Sequence, residues 1–189
     1  LLKKYHVKRF SWRFWRLCEK IEFFIRNVST PSTDTKESHR RREAYMDTSS
    51  KPVLVTGATG YVGGRLVPLL LEAGYQVRVM GRSLEKLKCR PWASNPAVEF
   101  ARADMFDQAS LEVACRGCRA AYYLVHSMNS SKGDFAEADR KAASNMARAA
   151  SEAGLERIIY LGGLGEEGEL MSEHLRSRHE VAGLLGAAG

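Results

Sequence analysis

Hydrophobic positions change their period several times along this chain, and each change predicts an element. Val53, Leu54, Val55 and Thr56 make a short apolar, β-branched run, which predicts a buried strand. Leu66, Leu69, Leu70 and Leu71 then take helical spacing, and that helix stops at Gly74. A second strand is predicted over residues 75–80 and a third over 98–101, ending near Asp104. A fourth covers 120–125, and a fifth covers 158–161, closing at Gly162 and Gly163. Between them lie a short helix over 110–115 and a long Ala-rich helix over 134–153. Strands alternating with helices predict an α/β fold, a doubly wound parallel sheet of about five strands covered on both faces.

The first 50 residues read differently. Phe10, Phe14, Leu17, Cys18, Ile21, Phe24, Ile25 and Val28 share one helical face, with Lys8, Arg9, Arg13, Arg16, Lys20 and Arg26 mostly off it. Residues 1–28 therefore form a basic amphipathic leader, and the polar, turn-rich stretch 29–50 forms a linker with no core to offer it. Residues 51–189 form the domain. Charge follows this division: residues 1–45 hold 12 Lys+Arg against 5 Asp+Glu, and the remainder holds 17 of each. The leader suits an anionic membrane surface or a partner groove, but Met46, close before the first strand, raises a second reading, translated sequence upstream of the native start. The neutral body argues against nucleic acid as a partner, and a membrane is expected only through residues 1–28. With 4 cysteines in 189 residues and no apolar run near the roughly 18 residues of a span, disulfide scaffolds and integral membrane proteins are excluded. The expected location is cytoplasmic.

Candidate chemistry begins where the first strand meets Gly57-Ala58-Thr59-Gly60-Tyr61-Val62-Gly63. Gly57 permits the tight turn, Gly60 lets a pyrophosphate approach the backbone, and Gly63 lets the helix pack close to the strand. Helix N-terminal amides then face the phosphates, so this is the glycine turn of a Rossmann dinucleotide site, to which Thr56, Thr59, Tyr61 and Val62 also contribute. An acidic residue at the end of the second strand would hold the ribose 2′-hydroxyl of NAD, but Gly81-Arg82-Ser83 stands there. Arg82 offers a charged fork and Ser83 a hydroxyl to a 2′-phosphate, with no carboxylate to repel it, so NADP(H) is expected in preference to NAD(H). The alternative for Arg82 is a solvated loop residue.

Thr56-Gly57-Ala58-Thr59-Gly60-Tyr61-Val62-Gly63 resembles the TGxxGxxG signature of extended and atypical short-chain dehydrogenases/reductases. Asp104 matches the aspartate that those proteins place beside the adenine, and Met105 after it is counted with the cofactor residues. Tyr123-Leu124-Val125-His126-Ser127, the helix from Asp139 to Ala150 with Asn145, and Ile159-Tyr160-Leu161-Gly162-Gly163 are similar to the NmrA-like branch of that family. The resemblance covers about residues 51–185. It implies a dinucleotide-binding domain whose substrate region follows later in the chain, so that this sequence is expected to be a fragment.

The resemblance also shows where the chain departs from the family. Its reductases use a Ser or Thr after the fifth strand and a Tyr-x-x-x-Lys on the next helix. Here Gly162 and Gly163 stand in the first place, and His174-Leu175-Arg176-Ser177-Arg178 falls in the register of the second. His174 is thus the candidate general acid, and Arg178 the candidate holder of ribose or of negative charge. Both could equally be polar residues on an exposed helix face. His126 and Ser127 are expected to wall the nicotinamide pocket. Cys115-Arg116-Gly117-Cys118 has redox-like spacing but no completing ligands, which favours a structural turn, and no metal is expected. Glu166, Glu167 and Glu169 could line a substrate mouth or form a solvated loop. Two functional classes follow: an NADP(H)-dependent oxidoreductase with an unknown small-molecule substrate, or a non-catalytic NADP(H) sensor acting through a protein partner.

Overall fold

Period-two alternation in the strands decides which helix each residue meets. In the computed structural model, which describes residues 51–126, 135–162 and 172–187, odd positions of the first two strands point one way and even positions the other. The strands are β1 (Val53–Thr56), β2 (Val77–Gly81), β3 (Val98–Arg102), β4 (Ala120–Tyr123) and β5 (Arg157–Tyr160). They form one parallel sheet in the order β3-β2-β1-β4-β5. The helices are α1 (Tyr61–Glu72), α2 (Leu84–Lys88), α3 (Gln108–Cys115), α4 (Phe135–Glu152) and α5 (Glu173–Ala187).

Val53, Val55, Val77 and Val79 pack with Leu66, Val67 and Leu70 of α1 and with Leu87 and Trp92. Leu54, Met80, Ala121, Tyr123, Ile158 and Tyr160 pack on the opposite face under α3, α4 and α5. The small buried residues Ala142, Ala143, Ala147, Ala149 and Ala150 let α4 lie close to its neighbours α3 and α5. This is the α/β doubly wound Rossmann architecture expected, with five strands. Arg78 stands on the second face as a charge, and its guanidinium donates to Ala114 O at 3.0 Å and Arg116 O at 2.6 Å while pairing with Glu99 at 2.7 Å. It thereby satisfies carbonyls at the C-terminus of α3.

Element ends differ from expectation where another group takes the backbone bond. β4 stops at Tyr123 because Leu124 N donates to the Thr56 hydroxyl at 3.0 Å. β2 starts at Val77 because Tyr75 N returns to Leu70 O, closing the end of α1 through Gly74 at φ 83. α2 and a 3₁₀ turn, Pro91–Ser94, were not expected; Ser83 caps the first and Pro91 opens the second. The leader 1–28, the linker 29–50, Ser127, Gly163, Glu166, Glu167 and Glu169 lie outside the described residues. Among the described residues no helix is long and apolar enough to cross a membrane.

Candidate functional site

The strand order reverses between β1 and β4, and the glycine turn emerges at that switch point, where open α/β sheets bind ligands. Gly57 sits at φ 65, and a Cβ there would lie 2.8 Å from Leu124 O. A Cβ at Gly63 would lie 2.4 Å from Gly57 O and 2.7 Å from Ala58 Cα, so α1 can start against the turn only with glycine at that position. Gly60 N donates to Gly57 O at 2.9 Å and Gly60 is the N-cap of α1. No side chain caps this helix, and its first turn carries no acid. Its leading amides are thus left for an outside anion, with the positive end of the dipole behind them. A dinucleotide pyrophosphate fits this arrangement.

The other expected cofactor residues divide into those at the surface of the turn and those spent on the fold. Thr56 is fully buried, and its hydroxyl donates to Tyr122 O at 3.1 Å and accepts from Leu124 N, bolting β1 to β4. Met105 buries its side chain in the core, and its carbonyl accepts from Asn145 at 2.9 Å. Asp104 holds the backbone of the loop after β3 by accepting from Phe106 N at 3.0 Å. Tyr61 is exposed, with the Arg65 guanidinium 3.7 Å over its ring. Thr59 and Val62 are half-buried in the turn, and Arg90 donates to the Thr59 carbonyl.

At the end of β2, Arg82 is exposed, and Arg102 faces Gly81 across the β2–β3 register. Ser83 is already engaged: its hydroxyl accepts from Lys86 N at 3.3 Å and donates to Glu85 at 2.7 Å. The expectation that no carboxylate stands near the ribose end is thus corrected, because the first turn of α2 brings Glu85 to Ser83. That hydrogen bond is also the main cause holding the Glu85 carboxyl below its usual range.

On the other side of the switch point, residues distant in sequence meet. His126, just past β4, places Nδ1 2.6 Å from Asp139 of α4. Its Nε2 lies 3.3 Å from Nδ1 of His174, in the first turn of α5. Nε2 of His174 in turn accepts from Arg178 Nε at 3.3 Å, and Arg178 Nη1 donates to Leu161 O at 3.2 Å. The two rings meet edge to face at 4.8 Å between centroids. Ser177, buried, approaches Asp139 at 3.4 Å. Burial is the largest influence on His126 and lowers its pKa; Asp139 opposes this, while Arg178 and His174 reinforce it. Burial likewise raises the pKa of Tyr123 and Tyr160 nearby, so both phenols stay protonated.

Asp139 was given no site role from the sequence, although a signal was present. It precedes Ala142, Ala143 and Met146 at i+3, i+4 and i+7, a carboxylate on the apolar stripe of its helix. Cys115 and Cys118 are buried thiols flanking a turn with Gly117 at φ 74. Burial raises them to about 12 and about 11, which makes them unreactive and fits the structural reading. Among the described residues no group of three or more His, Cys, Asp or Glu could hold a metal ion.

Comparison with known proteins adds relatives to this geometry. A family model described as the NmrA-like family matches residues 49–182. Dihydroflavonol 4-reductase of Hordeum vulgare is 31% identical over 130 residues, which are 64% of this chain and 37% of that protein. Cinnamoyl-CoA reductase 1 of Petunia hybrida is 28% identical over 125 residues, 62% of this chain and 36% of its own. The chain thus spans little more than a third of the length of these curated relatives. Among solved structures, an NADPH-dependent quinone oxidoreductase from Escherichia coli, complexed with NADPH, superposes with a TM-score of 0.59 at 24% identity, covering 72% of this chain and 45% of its own. The triphenylmethane reductase of Citrobacter sp., complexed with NADP(H), gives 0.60 at 22% identity, covering 72% and 45%. These two likenesses are of fold.

Proposed function

This chain belongs to the NmrA-like family, and from that membership we propose that it carries the NADP(H)-binding domain of an oxidoreductase of the atypical short-chain dehydrogenase/reductase type. The observation that carries the reading is the start of α1: a glycine turn at the switch point of the sheet, with uncapped amides and no acid in the first turn. When bound, the dinucleotide would supply or accept hydride. The chain's own part is to hold it: Gly57, Thr59, Gly60, Tyr61 and Val62 at the pyrophosphate, Gly63 by allowing the close approach of α1, and Asp104 toward the adenine. Thr56 and Met105 support that cradle from behind.

Preference for NADP(H) rests on Arg82, next to Gly81, which Arg102 faces from the neighbouring strand, since Ser83 is committed to Glu85. The structural neighbours bound to NADPH and NADP(H) support the same choice. The domain boundary is proposed at residue 51, and cytoplasmic residence accords with the free thiols.

The test is a parallel titration of NADPH and NADH into the full chain, followed by nicotinamide fluorescence. NADPH is expected to bind more tightly. Arg82→Asp should weaken NADPH by about 1.5–3 kcal/mol, the range of a charged hydrogen bond, and leave NADH unchanged. Equal loss for both would remove Arg82 from the phosphate site, and binding of neither would overturn the cofactor reading. One observation favours the sensor as a second reading: both ring nitrogens of His174 are engaged, by His126 and Arg178, so the ring offers no free N–H to a carbonyl. NADPH oxidation with a panel of aldehydes, ketones and quinones separates the two, since a sensor binds NADPH and turns over none of them.

A further inference from the structure

The cluster beyond β4 and β5 has only one consistent arrangement of protons. A guanidinium nitrogen donates and never accepts, so His174 Nε2 carries a lone pair toward Arg178. The proton of neutral His174 therefore sits on Nδ1 and is donated to Nε2 of His126. His126 in turn keeps its proton on Nδ1, where Asp139 accepts it. A further proton on His126 would set two N–H groups face to face at the contact between the rings; on His174 it would do so at Arg178. Every link thus points from Arg178 toward Asp139. This chain draws on α4, α5 and the segment after β4, which the sequence separates by up to 52 positions.

The charge at its start is the notable part. Among the described residues the Arg178 guanidinium is held by an imidazole and a carbonyl, both neutral, through Nε and Nη1. Asp139, the carboxylate of the cluster, is kept at the far end by two intervening rings. A half-buried cation is thereby fixed in orientation without direct contact with a carboxylate among the described residues, and Nη2 is left over from these bonds. Arg78, Arg119 and Arg140, by contrast, each meet a carboxylate directly, on Glu99, Glu156 and Glu180.

We propose that Asp139 acts through His126 and His174 to fix the tautomer that holds Arg178, and that Arg178 so held is an anchor for a carboxylate or other anionic oxygen of the ligand. Asp139, His126 and His174 are positioning residues, and Arg178 is the contact. The ligand class is an organic anion, taken at the carboxyl edge of the sheet beside the proposed nicotinamide position; in this respect the inference rests on the dinucleotide reading. The same oxygen chemistry could come from the substrate or from the dinucleotide, and the test separates these sources.

The experiment is ¹⁵N NMR of the histidine and arginine side chains of the full chain, with benzoate as the probe, titrated with and without saturating NADPH. In the free protein both imidazoles should show the Nδ1–H tautomer, the minor form in water, and Arg178 Nε–H should resonate apart from solvent-exposed arginines. Benzoate should shift Arg178 Nε–H, and Arg178→Gln should abolish its binding. Asp139→Leu should release the tautomers and weaken benzoate about tenfold, the size of effect that losing one supporting hydrogen bond has. Benzoate binding that survives NADPH assigns the anchor to the substrate, and competition assigns it to the dinucleotide. Nε2–H tautomers in the wild-type protein, or an Arg178 resonance that benzoate leaves unmoved, would overturn the proposal; neither measurement requires a variant to fold. Failure of NADPH to bind, with tautomers and benzoate response intact, would instead count against the cofactor reading alone.

Discussion

Two adjacent glycines of α1 provide a matched test of how closely the helix meets the turn. A Cβ at Gly63 would stand 2.4 Å from Gly57 O, 1.0 Å short of the 3.4 Å at which ordinary contact begins. The neighbouring atoms, Ala58 Cα at 2.7 Å and Gly57 C at 2.9 Å, are also backbone, so no side chain can rotate to relieve the clash. At Gly64 the nearest atom is Ala58 O at 3.8 Å, which a methyl group meets without strain. Both substitutions to alanine gain about 1 kcal/mol of helix propensity. Gly63→Ala also incurs an overpacking cost of about 3 kcal/mol, the upper part of the usual range, because α1 must move off β1. The net expectation is a loss of about 2 kcal/mol for Gly63→Ala and a gain of about 1 kcal/mol for Gly64→Ala. With a urea m-value of about 2 kcal/mol/M, the midpoint falls by about 1 M in the first and rises by about 0.5 M in the second. The assay is urea denaturation followed by circular dichroism, alongside NADPH titration, where only the first variant should lose affinity. Equal midpoints for the two variants would refute the close approach.

Two other outcomes follow from hydrogen bonding and burial. Thr56→Val removes the hydroxyl that serves Tyr122 O and Leu124 N, and stability should fall by about 1–3 kcal/mol, the cost of unpaired buried groups; loss of NADPH affinity without loss of stability would instead assign the hydroxyl to the cofactor. Because burial lowers the pKa of His126, the unfolded chain binds protons more readily than the folded one as pH drops. The stability due to neutral His126 is therefore complete above the unfolded imidazole value of about 6.5 and is lost as pH falls through the lower folded value. Urea midpoints at neutral and mildly acidic pH should fall further for the wild type than for His126→Gln, and equal falls would contradict the burial argument.

Local chemistry was enough to read the strand at Val53, the glycine turn, the crossover helix and the parallel class of the sheet. Each of these depends on residues adjacent in the chain: β-branched runs favour extended backbone, leucines at helical spacing need one buried face, and glycine alone tolerates the turn. The same reasoning assigned Thr56 and Ser83 to the cofactor, and there it met its limit. A hydroxyl is identical in sequence whether it faces a ligand or a carbonyl. Only the register of β4 against β1 and the start of α2 show that both are spent on the fold.

The candidate site shows the division most clearly. His126 was legible as a polar residue at the carboxyl edge of the sheet, because element ends can be counted along the chain, and His174 and Arg178 were legible through the register that the family resemblance implies on the helix after the fifth strand. That they form one chain of hydrogen bonds ending on Asp139 is a property of packing, since α4 and α5 must first lie together over β4 and β5. Proton positions, pKa directions and the hold on the Arg178 guanidinium depend on distances between residues far apart in sequence. Such distances exist only once the sheet order β3-β2-β1-β4-β5 has brought those elements side by side.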